Sequence, residues 1–407
     1  MTGRGLSSGR KLMLMLPMLH QGGFERVAVA TARLLSRDYE VTVCIFSDKN
    51  IHYDIRGLHI ENLNVPSSKN RLCKVFNVWR RISRARRLKK KLGIDITYSF
   101  GNTANPVNVF SRRQDRIITG LRCETDLESP RLVRLAVRRS DLVLSCSGEI
   151  RDRLITRFGC RRAAVVYNPL DVEDIRRRAL GNGSERPETG TFTIATMGRD
   201  DVIKGHWHLI RAFSAVCEKH PEARLLIIGA GRYESVRRLA EKLGVADRIT
   251  FTGALTDPFP VMAGADLYVL SSNREGFPNA LVEAMALSLP VIATDCRTGP
   301  REILLSDEER KALPERGAAD DSIAAPIDGA YGIMTPDMSA VPDEEPVLKE
   351  EGEKILAGQI IRMMEDPQLR AHYAKAAGER ALMFTPENYR GELLTVLDNV
   401  MKQKGCL

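Results

Sequence analysis

The chain has 407 residues, 43% of them hydrophobic and 28% charged, with 61 Lys and Arg against 52 Asp and Glu for a net charge of +9. That length supports two or more cores of usual size without disulfides or metals, and the composition excludes a disordered, collagen-like or disulfide-scaffold protein. The mild excess conceals an asymmetry, because residues 1–180 hold 35 basic and 17 acidic side chains while the remainder hold 26 and 35. Such a split predicts two domains with different neighbours, one of them anionic.

Eight scattered cysteines form no Cys-x-x-Cys and sit with no clustered His, which argues against structural zinc and fits a reducing cytosol. No apolar run approaches the roughly 20 residues of a membrane-spanning helix. The short apolar segment Leu12–Leu19 runs into Gln21-Gly22-Gly23 rather than a small-residue cleavage site, so it is read as a first strand and not a signal peptide. The expected location is cytoplasmic.

In chain order, apolar runs alternate with amphipathic stretches as in βα units. Strands are predicted at 11–17, 40–46, 95–99, 116–120, 141–145 and 163–168, with a helix at 24–36 and a basic one near 130–139. Gly181–Gly190 is Gly-, Pro- and Ser-rich with no periodicity and reads as a linker. The pattern restarts with strands at 191–197, 224–228, 248–252, 266–271 and 290–294 and helices at 207–219, 232–243 and 279–288. Residues 305–350, with Asp307-Glu308-Glu309, Asp320-Asp321 and Asp343-Glu344-Glu345 among Ala, Pro and Gly, read as a solvated excursion. The expected domains are 1–182, 191–383 and a C-terminal helix 384–407 packing back on the first.

Several strand-to-helix junctions carry groups suited to a phosphorylated ligand. Gly198-Arg199-Asp200-Asp201-Val202-Ile203-Lys204-Gly205 follows a strand and offers two cations, one a bidentate fork and one a point charge; two ordinary surface cations fit it equally well. In Asn273-Arg274-Glu275-Gly276-Phe277-Pro278-Asn279-Ala280-Leu281-Val282-Glu283, Pro278 sits where a helix can begin. Glu275 then lies in the loop and Glu283 inside an apolar helix, where a bare carboxylate is costly. Carboxylates accept from paired sugar hydroxyls, and the amides near Asn279–Leu281 suit phosphate. Gly229-Ala230-Gly231 lacks a third glycine, and a tight turn is the better reading. His20-Gln21-Gly22-Gly23-Phe24-Glu25-Arg26 is a further glycine-rich junction where backbone can approach a ligand.

These segments together resemble the retaining glycosyltransferases of the GT-B fold, in glycosyltransferase family 4 or group 1. Supporting matches are Ser145-Cys146-Ser147, Val166-Tyr167-Asn168-Pro169-Leu170-Asp171, Gly299-Pro300-Arg301-Glu302-Ile303-Leu304 and Tyr331-Gly332-Ile333-Met334. The resemblance implies two doubly wound Rossmann-like domains facing across a cleft. It implies that Arg199 and Lys204 hold the donor diphosphate, Glu275 the transferred sugar and Glu283 the ribose. It also implies backbone contacts at Gly276, Phe277, Pro278, Asn279, Ala280 and Leu281, with Gly22 and Gly23 close to the diphosphate. No metal or other cofactor is expected, because cations stabilise the leaving phosphate. The expected reaction moves a hexose or N-acetylhexosamine, with retention, from a UDP-sugar to a glycolipid or polyprenyl-diphosphate-linked acceptor in cell-surface polysaccharide synthesis. The first domain lacks the family's usual His after the strand at 116–120, which leaves His20, Arg122 and Glu124 as acceptor-side candidates. An epimerase-type or non-catalytic GT-B protein is the alternative.

Between Glu61 and Asp95 there is no acid, and eleven Lys and Arg intervene. Leu72, Val75, Phe76, Trp79, Ile82 and Leu88 recur among them at helical spacing. This reads as a membrane-surface helix with Arg80, Arg81, Arg84, Arg86 and Arg87 on anionic headgroups, placing the protein at the inner face of the cytoplasmic membrane. Packing of the apolar face on the sheet is compatible with that reading. Nucleic acid is not an expected partner, since aromatics are only 6% of the chain and no recognised module is present.

Overall fold

In a computed structural model, residues 9–20, 22–49, 51–67, 70–181, 191–314, 316 and 321–402 are described. Most of the predicted linker, together with Gln21, Lys69 and Asp320, lies outside them. The chain divides into two units, one of residues up to Pro169 together with Pro386 onward, the other Leu170–Thr385.

The first unit holds strands β1 (Lys11–Leu16), β2 (Glu40–Ile45), β3 (His59–Asn62), β4 (Ile96–Phe100), β5 (Arg116–Leu121), β6 (Leu142–Ser145) and β7 (Ala163–Val165). They form one sheet in the order β3-β2-β1-β4-β5-β6-β7, with every pairing parallel. Helices cover both faces of such a sheet, which is why its strands read as continuous apolar runs. Met13 and Met15 face one buried cluster, while Leu12, Leu14 and Leu16 face the other. The C-terminal helix Pro386–Lys402 joins this unit. Tyr389 shares a 2.7 Å hydrogen bond with Thr31 of helix α1 (Gly23–Leu35), and Arg390 grips Asp38 with two bonds.

The second unit repeats the architecture with β8 (Thr193–Met197), β9 (Arg224–Ile228), β10 (Ile249–Phe251), β11 (Leu267–Leu270), β12 (Val291–Thr294), β13 (Ile327–Gly329) and β14 (Gly332–Thr335). Its order is β10-β9-β8-β11-β12-β14-β13, with only the β13 edge antiparallel. The unit begins at Leu170, not after 182. The helix Val172–Ala179 packs on the Phe259–Ala263 and Asn279–Ala286 helices, and Arg176 Nε donates to the Ala286 carbonyl at 2.8 Å. Each sheet reverses strand order beside its first strand, at β1/β4 and at β8/β11. Ligands of open α/β sheets bind outside the carboxyl ends of strands at such a switch point.

The basic stretch forms helix α2 (Arg71–Leu92), and the structure corrects the assignment of its arginines. Arg81 is buried, donating from Nε to the Val65 carbonyl at 2.9 Å with its guanidinium 4.8 Å from the Phe46 ring. Arg84 donates to the carbonyls of Leu63 and Asn64. Lys89 is fully buried on Asp115 at 2.8 Å, and burial pulls its ammonium below the usual lysine range. These cations fasten the helix to the sheet instead of facing a membrane. Arg86 and Arg87 are exposed, and Arg80 is half-buried against the Phe76 ring.

The acidic excursion is tied down more firmly than a solvated loop. Arg211, almost fully buried in the His206–Lys219 helix, donates to the carbonyls of Asp343 and Glu345 and to the Glu353 carboxylate. Arg238 pairs with Glu344 at 2.7 Å. Arg211 and Arg238 lie 132 and 106 residues from the acids they meet, whereas Asp307 pairs with Arg310 and Glu345 with Lys349 at i,i+3 and i,i+4 spacing.

Candidate active site

The β8 and β11 strand ends bring the predicted donor residues together. After β8, Gly198 to Asp201 leads into a single 3-10 turn, Val202–Lys204, and Gly205 (φ +58°) opens the next helix. After β11, Ser271 to Phe277 leads into the Asn279–Ala286 helix. Lys204 Nζ donates to Glu275 Oε1 at 2.7 Å, and Ser272 Oγ donates to the same oxygen at 2.7 Å. Burial alone would favour the neutral amine of Lys204, but the charge and hydrogen bond of Glu275 outweigh it and raise its ammonium above the ordinary lysine range. Arg199 stays 65% exposed, 3.7 Å from Asp201. One predicted cation is therefore preset on a carboxylate, and the other reaches out into solvent.

Both carboxylates are buried, Glu283 more deeply than Glu275. Tyr268 of β11, fully buried, lies near both. Burial pushes its hydroxyl up, and the two carboxylates push it further, so it stays a neutral phenol. Phe277 and Pro278 are buried, and Phe277 sets its ring edge-on to Phe384 at 5.2 Å, leaving backbone as what it offers a ligand. The Leu281 amide already donates to the Pro278 carbonyl at 3.0 Å. Leu281 thus drops out of the predicted phosphate contacts. Asn279 and Ala280 are half-buried at the start of that helix.

Thr298, His206 and Tyr233 shape this site without any signal in the sequence. Thr298, at φ +68°, donates from Oγ1 to the Glu275 carbonyl. Left-handed backbone is an outlier for a β-branched residue. Gly299 follows at φ +101°, and a Cβ there would stand 2.4 Å from Pro278 Cδ. His206 is buried beneath the Arg199 loop, Nε2 lying 3.3 Å from the Arg199 carbonyl, and burial lowers its pKa to about 4. The Gly229-Ala230-Gly231 turn packs against the same loop. Tyr233 Oη donates to the Gly198 carbonyl at 2.6 Å and the Tyr233 amide to Asp200 at 2.7 Å. Any Cβ at Gly229 would lie 1.9 Å from the Gly198 oxygen. The weak Gly-x-Gly signal is thus a packing device for the cationic loop.

In the first unit, the loop after β1 carries the other predicted residues. The Gly22 amide donates to the Tyr53 hydroxyl at 3.0 Å. Gly22 backbone is extended, and the atoms a Cβ there would meet all belong to the carboxylate end of Glu25, the nearest at 2.2 Å. Gly23 opens α1. His20 is exposed, its ring edge-on to His52 at 5.1 Å. The other two acceptor-side candidates are committed to the fold. Arg122 is buried, bonding the Tyr98 hydroxyl at 2.9 Å and the Asn168 side chain over the Phe100 ring. Glu124 is buried on Arg153 at 2.9 Å.

Among the described residues, one group of ligating types converges: His208, Glu350 and Glu353. Glu353 Oε1 already accepts from His208 Nδ1 at 2.6 Å and Arg211 at 2.8 Å, and His208 Nε2 lies 2.8 Å from the Ser339 carbonyl. A guanidinium on the shared oxygen makes this an anchor for the excursion. Among the described residues, no helix is long and apolar enough to cross a membrane.

Residues 21–174 match the family model described as Glycosyltransferase Family 4, and residues 191–328 match the model described as Glycosyl transferases group 1. An uncharacterized glycosyltransferase of Methanocaldococcus jannaschii is 39% identical over 203 residues, 48% of this chain and 47% of that protein. The match thus spans about half the length of that relative. The N-acetylgalactosamine-N,N'-diacetylbacillosaminyl-diphospho-undecaprenol 4-alpha-N-acetylgalactosaminyltransferase of Campylobacter jejuni is 27% identical over 317 residues, 74% of this chain and 84% of its own. Among solved structures, Anabaena HepE in complex with UDP and glucose superposes with a TM-score of 0.69 at 20% identity, covering 96% of this chain and all of that one.

Proposed function

Because this chain belongs to the glycosyltransferases that join a family 4 domain to a group 1 domain in the GT-B fold, we propose that it transfers a hexose or N-acetylhexosamine from a UDP-sugar to a lipid-linked acceptor. The observation that carries this reading is the Lys204–Glu275 pair at the β8/β11 switch point, with Arg199 reaching out beside it. An ammonium already charged and oriented stabilises a departing diphosphate without reorganising during the reaction. Arg199, exposed and bidentate in geometry, closes on the same phosphates when the donor binds. The Asn279–Ala286 helix begins just after the Glu275 loop, where its N-terminal amides suit the same phosphates, and Glu283 takes the ribose hydroxyls.

In the proposed step an acceptor hydroxyl oxygen bonds to the anomeric carbon as the bond from that carbon to the diphosphate oxygen breaks. The hydroxyl proton passes to the leaving phosphate on the same face, so configuration is retained. Glu275, held by Lys204 and Ser272, positions the transferred sugar. The lipid-linked acceptor is supported by the Campylobacter relative, whose name specifies an undecaprenol-diphosphate acceptor, and by the exposed cations of α2. On this reading the protein works peripherally on a membrane.

The test is incubation of the purified chain with each common nucleotide sugar and a bacterial lipid extract, following nucleotide release and label transfer to lipid. At least one donor is turned over only when the extract is present. If no donor is turned over, or transfer is equally fast without lipid, the reading fails.

A further inference from the structure

Asn273 lies two residues before Glu275 and is buried, 4% exposed. Its backbone N–H donates at 2.9 Å to the carbonyl of Ile203, the residue before Lys204. Its side-chain Nδ2 donates to the Met338 carbonyl at 3.0 Å and to the Ser339 carbonyl at 3.2 Å. Carbonyls only accept, so the amide nitrogen must face them, and both of its hydrogens are used. One buried residue thus joins three segments. Its backbone holds the Lys204 turn, its place in the chain carries the Glu275 loop, and its side chain grips the acidic excursion.

The excursion is held from its other side at the same point. His208 Nε2 lies 2.8 Å from the Ser339 carbonyl, and the Ser339 amide donates to Glu350 Oε2 at 2.8 Å. His208 in turn meets Glu353, the carboxylate that also takes Arg211. The far end of the Asn273 amide is less well served. Its Oδ1 is buried with no hydrogen-bond partner among the described residues, and a Cβ at Gly205 would come within 3.0 Å of it. A buried acceptor without a donor costs stability. At this length, Ser would offer one donor and Asp none against two carbonyls, whereas an amide supplies two from one atom. The unpaired oxygen is what that double grip costs.

We infer that Asn273 is a positioning residue of the transfer site, through which the excursion at Met338 and Ser339 holds the Glu275 loop against the Lys204 turn and so fixes the Lys204–Glu275 contact. This deepens the glycosyl-transfer reading and rests on it, and one arm of the test needs no donor.

In the full chain, Asn273→Asp keeps the shape and removes both donors, and Asn273→Ala removes the amide altogether. A shift of about 1 Å at a reacting group costs up to about 100-fold in rate, so kcat for donor turnover falls about 10- to 100-fold. The donor KM changes less than about threefold, because binding groups are untouched. Glu350→Ala loosens Ser339 from the outside. It lowers kcat in the parent and adds little in the Asn273→Ala background, because both changes break one link. Thermal unfolding confirms that each variant is folded. Without donor, hydrogen exchange is compared between the parent and Asn273→Ala over peptides covering 271–277 and 337–341. Both segments speed up together, and peptides of the first sheet do not change. The inference is overturned if KM rises with kcat unchanged, if the Glu350 and Asn273 effects simply add, or if exchange fails to rise in both segments. A parent that turns over no donor defeats the glycosyl-transfer reading, and the exchange comparison then decides on its own whether Asn273 joins the two segments.

Discussion

Lys204 Nζ and Glu275 Oε1, 71 residues apart in sequence, lie 2.7 Å from each other across the ends of β8 and β11. Neither is free to act alone. Lys204→Met leaves the Glu275 carboxylate buried with Ser272 as its partner on that oxygen. We expect donor turnover to fall about 100- to 1,000-fold, the range for loss of a preorganised charge at a leaving group, with kcat falling more than KM. Steady-state kinetics of nucleotide release measures it.

Thr298 ties the Glu275 backbone from a left-handed conformation. Thr298→Val keeps the shape and removes the hydrogen bond, and turnover is expected to fall several-fold through kcat. Thr298→Ser keeps the hydroxyl and restores most of the rate. Thr298→Gly relieves backbone strain of about 1–3 kcal/mol, so thermal stability rises or holds while kcat still falls. That divergence separates a positioning role from a structural one.

His206 gives the second unit an acid-sensitive point. Burial lowers its pKa from the ordinary 6.5 to about 4. In that interval the unfolded chain binds a proton that the folded chain does not, so stability falls as pH drops from about 6.5 to about 4 and no further on this account. The shift amounts to roughly 3 kcal/mol. Chemical denaturation at pH 7 and pH 4.5 should show a smaller acid loss for His206→Asn than for the parent.

Glycines at the switch points differ in what they protect. Gly229→Ala places a Cβ 1.9 Å from the Gly198 oxygen at φ +151°, and the cationic loop must move. Gly22→Ala meets only the far end of the Glu25 side chain. The first is expected to lower the thermal midpoint by several degrees and abolish turnover. The second changes the midpoint little, as differential scanning calorimetry would show.

Arg122 separates fold from acceptor binding. Removing one partner from a buried charged network costs about 3–5 kcal/mol, so Arg122→Ala should lower stability and soluble yield. His20→Ala, at an exposed ring, should leave stability unchanged and raise the acceptor KM in steady-state kinetics.

The alternation of apolar runs made the two sheets legible, because it follows from short-range periodicity, and Glu275 and Glu283 marked the donor loop through the family resemblance. Less legible were the uses of individual charges. Arg81, Arg84 and Arg122 look like surface cations in sequence, yet each finds a carbonyl or hydroxyl 16 or more residues away. Thr298 and His206 belong to the site through a backbone carbonyl, a contact that residue type does not announce. Asp343 and Glu344 read as solvated acids because Arg211 and Arg238 meet them only in three dimensions.

The most direct measurement of the central claim is a calorimetric titration of the parent and Glu275→Ala with the donor nucleotide sugar and with its free nucleotide. The account predicts that the parent distinguishes the two ligands and that Glu275→Ala binds the free nucleotide nearly as well while losing affinity for the sugar-bearing one. Equal binding of the nucleotide sugar by parent and variant would contradict it.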